Sequence, residues 1–144
     1  MRQAARDLEH AVRALESTHY EWACFAAQQS AEKAVKALFL RANRIAWGHS
    51  VAALLQQLPL PWQPDESLVN AGKELDKHYI PPRYPNSYPE GAPYEYYTRA
   101  EAERAIGHTR DILAFCERLL AGPEPDSQSP EDGSPTTGAT PPGD

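Results

Sequence analysis

The sequence predicts an all-α protein, an up-and-down helical bundle of about five helices. Apolar residues recur at three- and four-residue intervals through five segments, and no run alternates as a half-buried strand does. Every proline falls outside those segments. The connections are short except for a Tyr/Pro-rich loop before the last helix, His78 to Tyr97, which reads HYIPPRYPNSYPEGAPYEYY.

Arg2 to about Ser17 is expected to form the first helix, with Ala5, Leu8, Val12 and Leu15 on one stripe and Arg6, Glu9, Arg13 and Glu16 elsewhere. Ser17-Thr18 ends it. Tyr20 to about Asn43 is the strongest helical segment, rich in alanine and free of Gly and Pro. Its first half is apolar nearly all round, from Trp22 to Ala27, which predicts a central helix contacted on several sides. Small residues at Ala23, Ala27, Ser30, Ala34 and Ala37 allow a partner helix close approach, while Gln29, Lys33 and Lys36 form a polar stripe.

Trp47 to Leu58 reads as a short helix driven by Val51, Leu54, Leu55 and Leu58, capped by Ser50 or His49. Pro59, Pro61 and Pro64 end it. Asp65 to about Tyr79 follows, with Leu68, Ala71, Leu75 and His78/Tyr79 on one face. Thr98-Arg-Ala-Glu101 is a capping-box sequence and starts the last helix, which runs to Leu120. Ala102, Ile106, Thr109, Leu113, Cys116 and Leu120 make its buried stripe, and Gly122-Pro123 stops it.

The loop between these last two helices contains six of the seven tyrosines and five prolines, at 81, 82, 85, 89 and 93. Those prolines oppose both a long helix and a central strand. The aromatic content opposes disorder, so the segment is expected to pack as a lid, with most tyrosines inside and one or two exposed.

Residues 1–121 form the expected domain; 122–144 hold six prolines, four glycines and five acids without a basic residue, which predicts a disordered acidic tail. The formal charge of −6 is mostly tail, because residues 1–121 carry 15 acids against all 14 Lys/Arg. A near-neutral body lacks the basic footprint of a duplex DNA binder. Cys24 and Cys116 are expected to be buried free thiols. With no apolar leader and no stretch approaching a membrane span, the protein is expected to be soluble and cytoplasmic. No Cys/His cluster has metal-ligand spacing, and there is no Gly-rich phosphate loop, so neither metal nor cofactor is expected.

Three blocks together resemble the HEPN domain: YEWACFAAQQSAEKAVKAL (20–38), GHSVAALL (48–55) and ELDKHYIPPRYPNSYPEGAPYEYYT (74–98). The resemblance covers roughly residues 1–120. It implies a homodimer around a shared groove, nucleotide or RNA binding, and often a minimal nucleotidyltransferase partner in a toxin–antitoxin-like system. A subset of the family are metal-independent ribonucleases with an Arg, four to six intervening residues and a His.

Arg13…His19 and Arg44…His49 match that pattern loosely but lie away from the family's position, and both histidines sit at expected helix starts. The corresponding position holds Lys73 and His78. His78 would act as acid/base and Lys73 as the phosphate cation, although a lysine lacks the planar fork of an arginine. Glu74 stands where the active members commonly carry a polar amide.

Arg83, held between prolines, could pair with phosphate or fasten the lid to Asp76 or Glu95. Tyr79 and Tyr84 could stack bases, and Gln29, Lys33 and Lys36 could line the same groove. The first reading is a nucleotide- or RNA-binding dimer acting with a nucleotidyltransferase. The second is a metal-independent endoribonuclease toxin using His78. The third is a helical protein-interaction adaptor.

Overall fold

Alanines decide how this bundle packs. The computed structural model describes residues 1–125, so the expectation of a disordered tail falls, from residue 126 onward, outside the described residues. Among the described residues six α-helices form: α1 (Arg2–Glu16), α2 (Tyr20–Arg41), α3 (Val51–Gln56), α4 (Glu66–Asp76), α5 (Pro93–Tyr96) and α6 (Arg99–Ala121). No strand forms among the described residues.

Helix α2 is central and packs against α1, α6, α3 and α4 as well as the start of the lid. Ala23, Ala27, Ala31 and Ala34 are completely buried along it. Two side chains then join backbones: Ser30 Oγ donates to the Ala4 carbonyl of α1 at 2.6 Å, and Thr109 Oγ1 of α6 donates to the Ala27 carbonyl at 2.8 Å. The buried face of α1 is accordingly Ala4, Ala11 and Ala14, with Leu8, Val12 and Leu15 only partly buried and Ala5 exposed. The expected stripe of larger residues is displaced because close approach favours the smallest side chains.

Both ends of the central pair are closed by Schellman turns. After α1, His19 N–H donates to the Ala14 carbonyl and Thr18 N–H to that of Leu15, with Thr18 at φ 63°. After α2, Arg44 donates to Phe39 and Asn43 to Leu40, with Asn43 at φ 55°. Asparagine tolerates that conformation; a β-branched threonine is strained in it.

Ser50, Asp65 and Thr98 cap α3, α4 and α6 by accepting from the backbone of Ala53, Leu68 and Glu101. Asp76, at the other end of α4, reaches back to α3 and accepts from Val51 N–H at 2.6 Å, Ala52 N–H at 3.3 Å and the Ser50 hydroxyl at 2.7 Å. Gly72 permits this crossing, since a Cβ there would stand 2.9 Å from the backbone nitrogen of Ala52. Cys24 and Cys116 are buried free thiols, and burial pushes each up to about 12.

The lid contains short helical turns where prolines lead: 3-10 turns at Pro81–Arg83 and Pro85–Ser87, and α5 from Pro93. A proline at the first position loses no helical hydrogen bond, so these turns form while a long helix cannot. The expectation that most lid tyrosines are internal is not met. Tyr97 is buried and Tyr79 and Tyr88 are half-buried, but Tyr84, Tyr94 and Tyr96 are exposed. The lid stacks on itself instead, Tyr88 against Tyr96 with centroids 4.1 Å apart.

Two stability measurements check this account. Asp76→Ala removes three acceptor contacts at once and is expected to lower the urea midpoint by the equivalent of about 1–3 kcal/mol without changing the slope. Thr18→Gly relieves left-handed strain and should raise stability by about 1 kcal/mol.

Candidate functional site

His78 and Tyr79 follow the C-terminus of α4 and face different clusters. Tyr79 enters the one with the denser set of interactions. Its carbonyl accepts from Arg83 Nε at 2.8 Å, and the Arg83 guanidinium lies over three rings: Tyr79 at 4.6 Å, Phe25 at 4.7 Å and Tyr84 at 5.2 Å. The two terminal nitrogens of Arg83 make no hydrogen bond or ion pair among the described residues. Asp76 is occupied at α3 and the Glu95 carboxylate accepts from Ala92 N–H, so neither fastens Arg83. Prolines 81 and 82 start the turn that positions the guanidinium.

The imidazole of His49 stacks on Tyr79, with centroids 4.6 Å apart and planes inclined by 17°. Its Nδ1 lies 3.0 Å from Glu32 Oε1 of α2. Glu32 is only 5% exposed and Gln28, one turn earlier, is 0% exposed. Gln28 Nε2 donates to the His49 carbonyl at 3.0 Å and to Glu32 Oε1 at 3.4 Å, while Lys36 Nζ donates to Glu32 Oε2 at 3.3 Å. The buried carboxylate is therefore fully partnered, as a buried charge must be.

Among the sequence-predicted binding residues, Arg83, Tyr79 and Tyr84 come together. Gln29 and Lys36 reach the rear of the same cluster, Gln29 by donating to Gln28 Oε1 at 2.7 Å. Lys33 does not; its ammonium pairs with Asp7 of α1 at 2.5 Å and ties the first two helices together. Sequence reasoning missed Phe25, Gln28, Glu32 and His49 as site residues. The signal for Gln28 and Glu32 was Gln28-Glu32-Lys36 at four-residue spacing, which places three polar side chains on one face of α2.

His78 belongs to a separate cavity of about 240 Å³ between α4 and α6, lined by Glu74, Lys77, Glu101, Arg104 and His108. Its Nδ1 lies 3.2 Å from the hydroxyl of buried Tyr97, and the Tyr97 phenol is held well above its ordinary range, chiefly by burial. Lys73 is exposed and does not line this cavity. Glu74 contacts His108, a pairing that holds its carboxyl below the usual value.

Burial holds His78 below its ordinary value of 6.5, so the unfolded chain binds its proton more readily. The stabilisation is complete above 6.5 and is lost as pH falls through the folded value. Glu74 has the same sign but acts only below 4.5. The thermal midpoint should therefore decline between about pH 7 and pH 5, and His78→Gln should flatten that decline.

Known proteins share this fold. The HEPN domain model matches residues 1–119. A Methanocaldococcus jannaschii protein named "Putative toxin MJ1304" is 29% identical over 129 residues, spanning 83% of this chain and 85% of the relative. The crystal structure of TT1696 from Thermus thermophilus superposes with a TM-score of 0.79 at 50% identity, over 81% of this chain and 92% of that one. ST0689, an archaeal HEPN homologue, superposes with a TM-score of 0.71 at 42% identity, over 83% and 93%. A match that runs from the first residue almost to the end of α6, on a bundle shared with solved homologues, leaves one assignment: the chain belongs to the HEPN domain family.

Proposed function

We propose that this chain is the toxin-like member of a two-component system, a homodimer that binds single-stranded RNA or a nucleotide at the Arg83 cluster and acts with a minimal nucleotidyltransferase. The observation that carries the reading is Arg83 itself. Its Nε is used to fix the side chain, its plane is held over Phe25, Tyr79 and Tyr84, and its terminal donors remain for a phosphate. Tyr84, 48% exposed, offers a ring for a base beside that phosphate. The name of the M. jannaschii relative supports a toxin-like role. Trp22, 46% exposed and edge-on to Phe25, gives the start of α2 an apolar surface suited to a second protomer.

Cleavage centred on His78 and Lys73 has less in its favour. The lysine lies outside the cavity, and the carboxylates of Glu74 and Glu101 line it, where they would repel a phosphate. A purely structural adaptor is disfavoured by three exposed lid tyrosines and by an arginine with two uncommitted donor groups.

Fluorescence anisotropy with labelled single-stranded RNA tests the reading. Arg83→Ala is expected to weaken binding at least tenfold, consistent with about 1.5–3 kcal/mol for hydrogen bonds to a charged group. Arg83→Lys should fail to restore it, because an ammonium cannot offer the planar fork. Unchanged affinity in Arg83→Ala would refute the site.

A further inference from the structure

The four most exposed large apolar side chains among the described residues are Leu40, Ile45, Trp47 and Leu60. All four fall within residues 33–64, a stretch that contains no acid and carries Lys33, Lys36, Arg41 and Arg44. Residues 1–121 hold 15 acids against 14 Lys/Arg, so this stretch makes a local surface that is both basic and apolar. Such a patch marks an interaction surface. Lys33 and Lys36 are committed to Asp7 and Glu32, which leaves Arg41 and Arg44 to set its charge. Arg44 is exposed, and its N–H donates to the Phe39 carbonyl, so the chain turns back beside the end of α2.

The chain brings its own acids to this place. Glu124, just past α6, pairs with Arg41 at 3.1 Å. Gly122 to Pro125 line a cavity of about 470 Å³ whose other wall is Pro61, Trp62, Arg118 and Leu119. The segment therefore leaves the bundle alongside the 3-10 turn Leu60–Trp62. Beyond it, Asp126, Glu131, Asp132 and Asp144 add four negative charges and no positive one. Trp47 is six residues from Arg41 and so lies within about 22 Å of it, at roughly 3.6 Å per residue. Asp132, eight residues past Glu124, can reach about 28 Å.

We infer that residues 126–144 are the occupant of this surface. Their carboxylates pair with Arg44 and Arg118, and their prolines lie on Trp47 and its apolar neighbours, as proline-rich segments do on aromatic grooves. Tethering favours this occupant over a free peptide, because a linked segment meets the surface at about millimolar effective concentration. Exposed ion pairs are individually weak, so the cover is displaceable. The segment shields the apolar patch from casual contacts and yields it to an acidic partner that binds more tightly.

Hydroxyl-radical footprinting of the full chain, read residue by residue by mass spectrometry, tests this. The comparison is between the wild type and a full-length variant carrying Asp126→Asn, Glu131→Gln, Asp132→Asn and Asp144→Asn. Trp47 should be oxidised about threefold more slowly in the wild type, since a few exposed pairs hold the segment only part of the time. About 0.5 M sodium chloride should bring the wild type to the variant's rate, because screening removes the attraction. Replacing both arginines, Arg41→Ala with Arg44→Ala, should do the same at low salt. Trp22, at the opposite end of α2, is the internal control and should keep one rate throughout. Trp47 oxidation that is no slower in the wild type than in the neutralised variant overturns the proposal. Protection of Trp47 that fades on dilution also overturns it and assigns the patch to a second copy of the chain.

Discussion

The rest of this structure depends on how closely three helices can approach one another. Along α2, Ala23, Ala27, Ala31 and Ala34 are completely buried, and a serine and a threonine bond α2 to α1 and α6. The two hydroxyls donate directly to the backbone carbonyls of neighbouring helices, a bond that only near-contact of the backbones allows. Such a seam gains its stability from dispersion over many short contacts, together with two satisfied buried donors. It has little room for adjustment, because a larger side chain at any of these positions would push the helices apart and break the hydroxyl bonds as well.

With α1 and α6 occupying two sides of α2, a third side is left for the Arg83 cluster. Phe25, Gln28, Glu32 and Lys36 lie there in successive turns, against the loop that carries His49 and the start of the lid. Because these residues stand on a long buried helix, their positions inherit its rigidity, which is what a pre-organised site needs. Asp76 completes the frame. By capping α3 from the end of α4, it fixes the first residues of α3 close to the point where Tyr79 leaves the bundle.

The helices were legible from periodicity and capping, and Ser50, Asp65 and Thr98 cap where the sequence placed the starts of their segments. The last helix reads well because its stripe of Ile106, Thr109, Leu113 and Cys116 is strongly one-sided. The first helix reads less well, since its leucines and valine suggested a face that alanines occupy. Within the site, Arg83 and its tyrosines were legible because prolines announce a rigid loop. His49 was not. Its meaning depends on Glu32, seventeen residues earlier, and on Tyr79, thirty residues later, and no local pattern encodes contacts across such separations. Lys33 shows the converse, since a polar stripe on a helix does not say whether an ammonium faces a groove or the neighbouring helix.

The lid is anchored to the bundle at its two ends and exposes tyrosines between them. Arg83 and Tyr79 hold its beginning against α2, and buried Tyr97 holds its end beside His78, while residues 84–96 carry the exposed tyrosines. In evolutionary terms this separates two kinds of change. Substitutions between the anchors can alter which surface is offered to a ligand or partner without disturbing the bundle, whereas changes at the anchors alter the bundle itself. Relatives of this chain can therefore diverge in what they recognise through a dozen lid positions while keeping one scaffold intact.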